Sequence, residues 1–224
     1  MNSTITKRKS VRKYREEKLS NEVVDRINQQ IKTILPLYDN ITVDIEIVES
    51  VKGPFYVSAP YYLTFYSEIK DGYLENIGFI GQKLSLFLTE NGIGSCWLGM
   101  AKPKSKGTLP FIICMAFGLP DEQLFRELKD FNRKPLSEIS RGEDQRLESA
   151  RLAPSGMNLQ NWYFIVDNSR IDCYTKKKVV SGKMGLIDLG IALSHIAIES
   201  TDFSFSRIES YSEIKNYSYV GSVL

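Results

Sequence analysis

The sequence predicts an α+β fold built from two related halves, and three observations carry that expectation. Val43, Ile45 and Ile47 alternate with Asp44 and Glu46, the two-residue period of a half-buried strand. Ile77, Ile80, Leu84, Phe87 and Leu88 recur at helical spacing. Gly190 followed by Ile191-Ala192-Leu193-Ser194-His195-Ile196 echoes Gly78 followed by Phe79-Ile80-Gly81-Gln82-Lys83-Leu84, a repeat at about half the chain length.

The elements follow in order. Ser20 is a good N-cap, with Leu19 and Val24 placed as a hydrophobic staple. Val23, Val24, Ile27, Ile31 and Ile34 then mark a helical face that stops at Pro36. The alternating strand comes next, and residues 53–67 are aromatic and β-rich, divided by Pro60. The second helix spans residues 73–90, where Gly78, Gly81 and Ser85 form a stripe that lets another helix approach; Asn91-Gly92 ends it. Residues 110–117 are a near-continuous apolar run closed by Gly118, which predicts a central strand. The polar, basic residues 131–142 read as the connection between halves 1–140 and 141–224, packed as one unit. A helix over 144–152, a loop, a strand from Trp162 to Val166 and a tight Asp167-Asn168-Ser169 turn into 170–174 follow. Residues 186–199 are apolar nearly all round, so that helix is expected to be buried.

Composition removes several classes of function. The 224 residues suffice for one large domain, or two small ones sharing a core, and a net charge of +2 gives no bulk attraction to nucleic acid. No apolar run approaches a membrane span, and residues 1–10 lack the apolar core of a secretory leader. Cys96, Cys114 and Cys173 are odd in number and far apart, which predicts free thiols and a reducing, cytoplasmic setting rather than a disulfide framework. No Cys/His cluster has metal spacing. The only histidine, His195, lies inside the apolar helix and reads as a satisfied core or interface residue rather than a catalytic one.

Four segments could carry chemistry. Arg8 and Arg12 share a face in helical or extended backbone, and with Ser10 they make either a phosphate clamp or a solvated basic tail. Asn132-Arg133-Lys134-Pro135 adds two cations on a stiffened connector. Residues 92–100 form a glycine-rich stretch, read as a loop, that misses the dinucleotide fingerprint because Trp97 replaces its third glycine. Ala153-Pro154-Ser155-Gly156-Met157-Asn158-Leu159-Gln160-Asn161-Trp162 places two side-chain amides in a turn before a core strand. It suits a planar polar ligand, or simply satisfies its own backbone.

Together these segments resemble the nitroreductase family of FMN proteins. The resemblance rests on Arg8-Lys9-Ser10-Val11-Arg12-Lys13-Tyr14, on the stretch from Gly78 ending in Ser95-Cys96-Trp97-Leu98-Gly99, on Arg133-Lys134-Pro135-Leu136, and on the motif after Ala153. Their order is unusual. In the family the Pro-Ser-x-x-Asn motif follows the first basic motif by one helix, where this chain has Leu35-Pro36-Leu37-Tyr38. The resemblance is therefore to the internally duplicated members, in which one chain imitates a homodimer and keeps one site. It implies a nitroreductase-like pseudo-dimer in which a monomer suffices for one site.

It further implies that Arg8, Ser10, Arg12, Arg133 and Lys134 hold the FMN phosphate and pyrimidine edge. Leu98, Gly99 and Met100 would pass near the flavin N5 face, and Pro154, Ser155, Gly156, Asn158 and Gln160 would close the site. Asn161 stands where the family often has Pro. The implied activity is NAD(P)H-dependent reduction of nitroaromatics, quinones or similar small acceptors, with the chemistry at the flavin and no catalytic side chain required. A flavin-storage protein and a flavin-free interaction scaffold are the alternatives. Phe55, Tyr56, Tyr61 and Tyr62 are either acceptor-pocket aromatics or strand core.

Overall fold

Local signals set the first elements. In a computed structural model, which describes residues 1–54, 56–177 and 182–224, the Ser20 hydroxyl accepts from the Val23 amide and opens α1 (Asn21–Thr33). The alternating segment is β1 (Val43–Val48), partly buried along its length. Pro60 marks the start of β3 (Tyr61–Ser67), which is buried throughout. A short β2 (Val51–Lys52) pairs with β5 (Lys102–Pro103). The long helix α2 is Tyr73–Glu90, and Gly92 after it takes a φ of 77°, the left-handed value expected of the stop signal.

The apolar run is β6 (Phe111–Gly118), an inner strand between β3 and β4 (Gly94–Leu98). This corrects the reading of residues 92–100 as a loop. Gly94 to Leu98 pair antiparallel with β6, with Gly92 and Ile93 leading into the strand and Gly99 and Met100 bending away after it. Glycines at the ends of a short edge strand concealed its period. The connector contains α3 (Leu136–Ile139) and β7 (Ser140–Arg141). Helix α4 (Arg146–Leu152) starts later than expected because Asp144 stands ahead of it and accepts from the Arg146 amide at 2.8 Å.

In the second half, β8 (Trp162–Asp167) and β9 (Arg170–Lys176) form a hairpin, and α5 (Gly182–Ile198) is the buried helix. Beyond it, β10 (Phe205–Ser206) and β11 (Tyr217–Val223) carry no readable apolar period. Ser222 is fully buried in β11 and is satisfied by donating to Asp172 at 2.7 Å, so a polar residue occupies a core position.

The two sheets have the same plan. The first has the order β1-β3-β6-β4 and the second β8-β9-β11-β10, with β7 added in parallel beside β8. Each runs hairpin, helix, edge strand, inner strand. Helices α2 and α5 pack together between them. A Cβ on Gly78 would lie 2.1 Å from the Ile187 carbonyl oxygen, and one on Gly190 would lie 2.0 Å from that of Glu75. Gly190 stands as far after Gly78 as Ile187 does after Glu75, so the contact is reciprocal, as in a two-fold interface. One buried cluster joins Phe65, Ile77 and Met115 to Trp162, Phe164 and Leu193.

Candidate functional site

Four segments from the two halves line a cleft of about 430 Å³. Ser10 and Arg12 come from the N-terminal segment, and Cys96, Trp97, Gly99 and Met100 from β4 and the turn after it. The loop after α4 contributes Pro154, Ser155 and Gly156, and α5 contributes Met184, Ile187, Asp188 and Ile191.

The N-terminal segment is extended and lies along β4. The Val11 amide donates to the Ser95 carbonyl at 3.0 Å, while the Val11 side chain fills the space left by Gly94. This buries Arg8, at 2% exposure, and turns Ser10 and Arg12 to the cleft. Among the described residues no acceptor or carboxylate pairs with the Arg8 guanidinium. Its pKa is pushed down to about 9, first by burial and then by the charges of Arg126 and Arg133. Arg126 lies 3.5 Å over the Phe131 ring and donates from Nε to the Arg8 carbonyl at 2.9 Å. The Arg133 guanidinium is also partly desolvated, pushed down to about 10 by burial and then by Arg126, and its buried Nε has no partner. Arg8, Arg12, Arg126 and Arg133 thus form a cationic cluster beside the cleft that lacks a protein counter-ion for its most buried member.

The loop is fixed from below. Met157, Asn158 and Gln160 have positive φ values of 53°, 58° and 45°. Gln160 is buried; its Oε1 accepts from the Lys134 amide at 2.7 Å and its Nε2 donates to the Arg151 carbonyl at 3.1 Å. Asn158 accepts from Arg133 and donates to the Asn132 carbonyl, and Lys134 Nζ donates to the Leu159 carbonyl at 2.7 Å. These contacts hold the αL residues in place.

Of the expected residues, Ser10, Arg12, Gly99, Met100, Pro154, Ser155 and Gly156 line the cleft. Arg8 and Arg133 join the arginine cluster. Asn158, Gln160 and Lys134 lie in the seam that ties the loop to the connector: Asn158 bonds to Arg133 and Asn132, Gln160 to the Lys134 amide and the Arg151 carbonyl, and Lys134 Nζ to the Leu159 carbonyl. The Leu98 side chain packs instead with Val51 and Cys114. Tyr61 and Tyr62 are strand core, Tyr56 is exposed and Phe55 lies outside the described residues.

Sequence reading missed Arg126 and the whole α5 wall. The available signal was Asp188, a carboxylate on a helix otherwise apolar nearly all round. Asp188 is 2% exposed and its Oδ1 accepts from the Gly156 amide at 2.9 Å. Burial lifts its pKa to about 7. His195 is the satisfied core histidine expected. Its Nδ1 pairs with the Ser149 carbonyl at 2.8 Å and its Nε2 with Gln82 Nε2 at 2.9 Å, so Nδ1 carries the proton and Nε2 accepts. Gln82 Oε1 in turn accepts from Trp97 Nε1 on the cleft wall at 3.3 Å. Burial pushes the imidazole pKa down to about 3 and keeps it neutral.

In the first half the counterpart helix face borders a smaller cleft of about 320 Å³, lined by Gly72, Glu75, Leu186 and Arg207. Tyr38 packs its ring on Gly72, the counterpart of Met184, and meets Phe205 edge-on at 6.1 Å. Among the described residues no three His, Cys, Asp or Glu side chains form a metal-binding group, and no helix is long and apolar enough to cross a membrane.

Comparison with known proteins agrees with the fold. Among solved structures, a "putative nitroreductase" from Thermotoga maritima is 22% identical, with a TM-score of 0.70 over 100% of this chain and 93% of its own. A nitroreductase family protein from Clostridium difficile 630 is 17% identical, with a TM-score of 0.50 over 62% of this chain and 96% of its own. An FMN-dependent nitroreductase from Clostridium difficile R20291 is 17% identical, with a TM-score of 0.47 over 59% of this chain and 95% of its own. No curated protein matches the sequence. A family model described as "Putative TM nitroreductase" matches residues 1–200, a span that takes in both hairpins, both central helices and every segment of the cleft. The chain belongs to that nitroreductase family.

Proposed function

We propose that the cleft binds one FMN per chain and serves NAD(P)H-dependent reduction of nitroaromatics, quinones or similar small acceptors. The observation that carries this reading is Arg8, a buried guanidinium without a counter-ion among the described residues, clustered with Arg126, Arg133 and the cleft residue Arg12. A buried, unpaired charge is costly, and a phosphate offsets that cost through charge-assisted hydrogen bonds. The donor set suits a phosphate monoester: Arg forks give bidentate contacts and Ser10 adds a hydroxyl.

The rest of the cleft suits a flat ring. Trp97, Met100, Met184, Ile187 and Ile191 supply apolar walls, and the Pro154–Gly156 backbone closes one side. When bound, FMN supplies hydride and electron transfer at its own ring. The chain's residues then bind and orient. The arginine cluster anchors the phosphate, the Asn158, Gln160 and Lys134 seam keeps the loop rigid, and the neutral His195 chain fixes Trp97. His195 itself takes no part in proton transfer, because both of its nitrogens are engaged in the core.

Both halves contribute to this site. The basic segment comes from residues 1–140, and the loop and α5 wall from residues 141–224. Tyr38, packed on Gly72 at the counterpart of Met184, supports reading the chain as a pseudo-dimer with a single site. Purified protein should be yellow or become so with FMN, the extracted cofactor should co-migrate with FMN, and titration should saturate at one FMN per polypeptide at monomer dilution. Protein that stays colourless with added FMN would sink the proposal and favour the scaffold alternative. Bound reduced flavin that acceptors oxidise only slowly would indicate storage.

A further inference from the structure

We propose that Asp188 is a proton-carrying latch of the cleft: its Oδ1 holds the Pro154–Gly156 loop through the Gly156 amide, and when protonated its carboxyl also offers a hydrogen bond to a neutral planar heterocycle, whereas when ionised it weakens binding of that ring. The ligand half of this proposal rests on the flavin reading, whereas the loop half stands on the chain alone.

The argument begins with a comparison inside the molecule. Asp188 stands two residues before Gly190, as Asn76 stands two residues before Gly78. Asn76 holds the corresponding first-half loop through three bonds. Its Oδ1 accepts from the Leu37 amide at 2.8 Å and the Tyr38 amide at 3.1 Å, and its Nδ2 donates to the Tyr38 carbonyl at 3.3 Å. Asp188 makes one such bond, to the Gly156 amide. Among the described residues its Oδ2 has no partner, although the residue is almost wholly buried and lines the cleft. Only a protonated Asp reproduces the donor that Asn76 has, and it would present that donor at the cleft surface.

Among the described residues no charge stabilises the ionised form. The first-half elements bring Arg12 and the Cys96 thiol to the cleft, and Arg12 forms no ion pair with Asp188. Burial raises the Cys96 pKa, which keeps that thiol neutral. The loop side chains from Pro154 to Leu159 carry no titratable group. On α5 itself, Met184, Ile187 and Ile191 surround Asp188, and Lys183 is exposed. Burial alone accounts for the raised carboxyl pKa, against the lowering effect of the Gly156 amide.

The test has two arms. In the apo-protein, carboxyl-labelled aspartate is titrated by NMR, with the Gly156 amide as the loop reporter and D188N as the assignment control. Asp188 should titrate near neutrality, and the Gly156 amide should shift with the same midpoint. Riboflavin is then bound at a series of pH values; it lacks the phosphate whose own titration would confuse the reading. With a midpoint near 7, affinity should fall about tenfold between pH 6 and pH 8, following the protonated fraction. D188N should bind independently of pH. An Asp188 midpoint in the ordinary carboxylate range, a Gly156 amide that does not follow it, or a flat wild-type affinity profile overturns the proposal. If riboflavin and FMN both fail to bind at any pH, the flavin reading falls, and the loop titration alone decides the latch. Should D188N not fold, the wild-type Gly156 midpoint still decides it.

Discussion

Replacing Arg8 by Met should make the empty protein more stable and the loaded protein weaker, two effects of opposite sign from one side chain. The guanidinium pKa is pushed well below its ordinary value, to about 9, so at pH 7 the folded chain carries a charge that its surroundings disfavour. At about 1.4 kcal/mol per pKa unit the penalty is on the order of 4–5 kcal/mol. A depressed basic pKa means that the penalty is complete below the folded value and fades as pH climbs from about 9 toward the ordinary guanidinium value. Methionine keeps an unbranched apolar stem but loses some packing, roughly 1–2 kcal/mol, so a net gain of about 3 kcal/mol is expected. In a chain of this size that corresponds to a rise of roughly 6–12 °C in melting temperature. Phosphate binding loses a charge-assisted contact of about 1.5–3 kcal/mol, or roughly tenfold to more than a hundredfold in FMN affinity. Calorimetry of the flavin-free protein and a fluorescence titration with FMN measure the two quantities. An apo R8M protein that melts lower than wild type and binds FMN equally well would refute the reasoning, because Arg8 would then be a paired structural residue.

Other outcomes follow from the same geometry. Arg12→Ala removes a cleft cation without disturbing the core, so FMN affinity should fall roughly tenfold to a hundredfold in a protein of unchanged melting temperature. Gly78→Ala and Gly190→Ala each drive a methyl group into the opposing helix backbone; each should cost roughly 1–3 kcal/mol or more in denaturant unfolding, and by similar amounts. His195 has a depressed pKa, so the unfolded chain binds its proton more readily and stability is lost as pH falls from about 6.5 toward 3. Urea unfolding of His195→Gln should show a shallower acid limb than wild type over that window. Asp188 has the opposite sign: its raised pKa means that the folded chain binds the proton more readily, so stability is lost as pH rises from about 4 through 7, and D188N should abolish that slope in the same assay.

Side-chain period and capping chemistry determined much of the fold before any coordinates. Ser20 announced α1, the apolar face announced α2, and the run before Gly118 announced β6, because each signal is local to a few residues. The four basic, glycine-rich and amide-bearing segments likewise named the family, since the residue types that mark it are written in the chain itself. The edge strand β4 was not legible, because its glycines blur the two-residue period. Strand β11 was not legible either, because Ser222 reads as polar while Asp172 satisfies it in the core. Tertiary structure alone decided which motif residues face the cleft. Gln160 turned inward and Asn158, though exposed, folded against the connector, because each found backbone or guanidinium partners there, far away in sequence. It also decided that Arg8 is buried beside three other arginines and that Asp188 lies in an apolar wall. Burial, and the absence or presence of a counter-charge, arise where distant segments converge, and no spacing along one strand or helix encodes them.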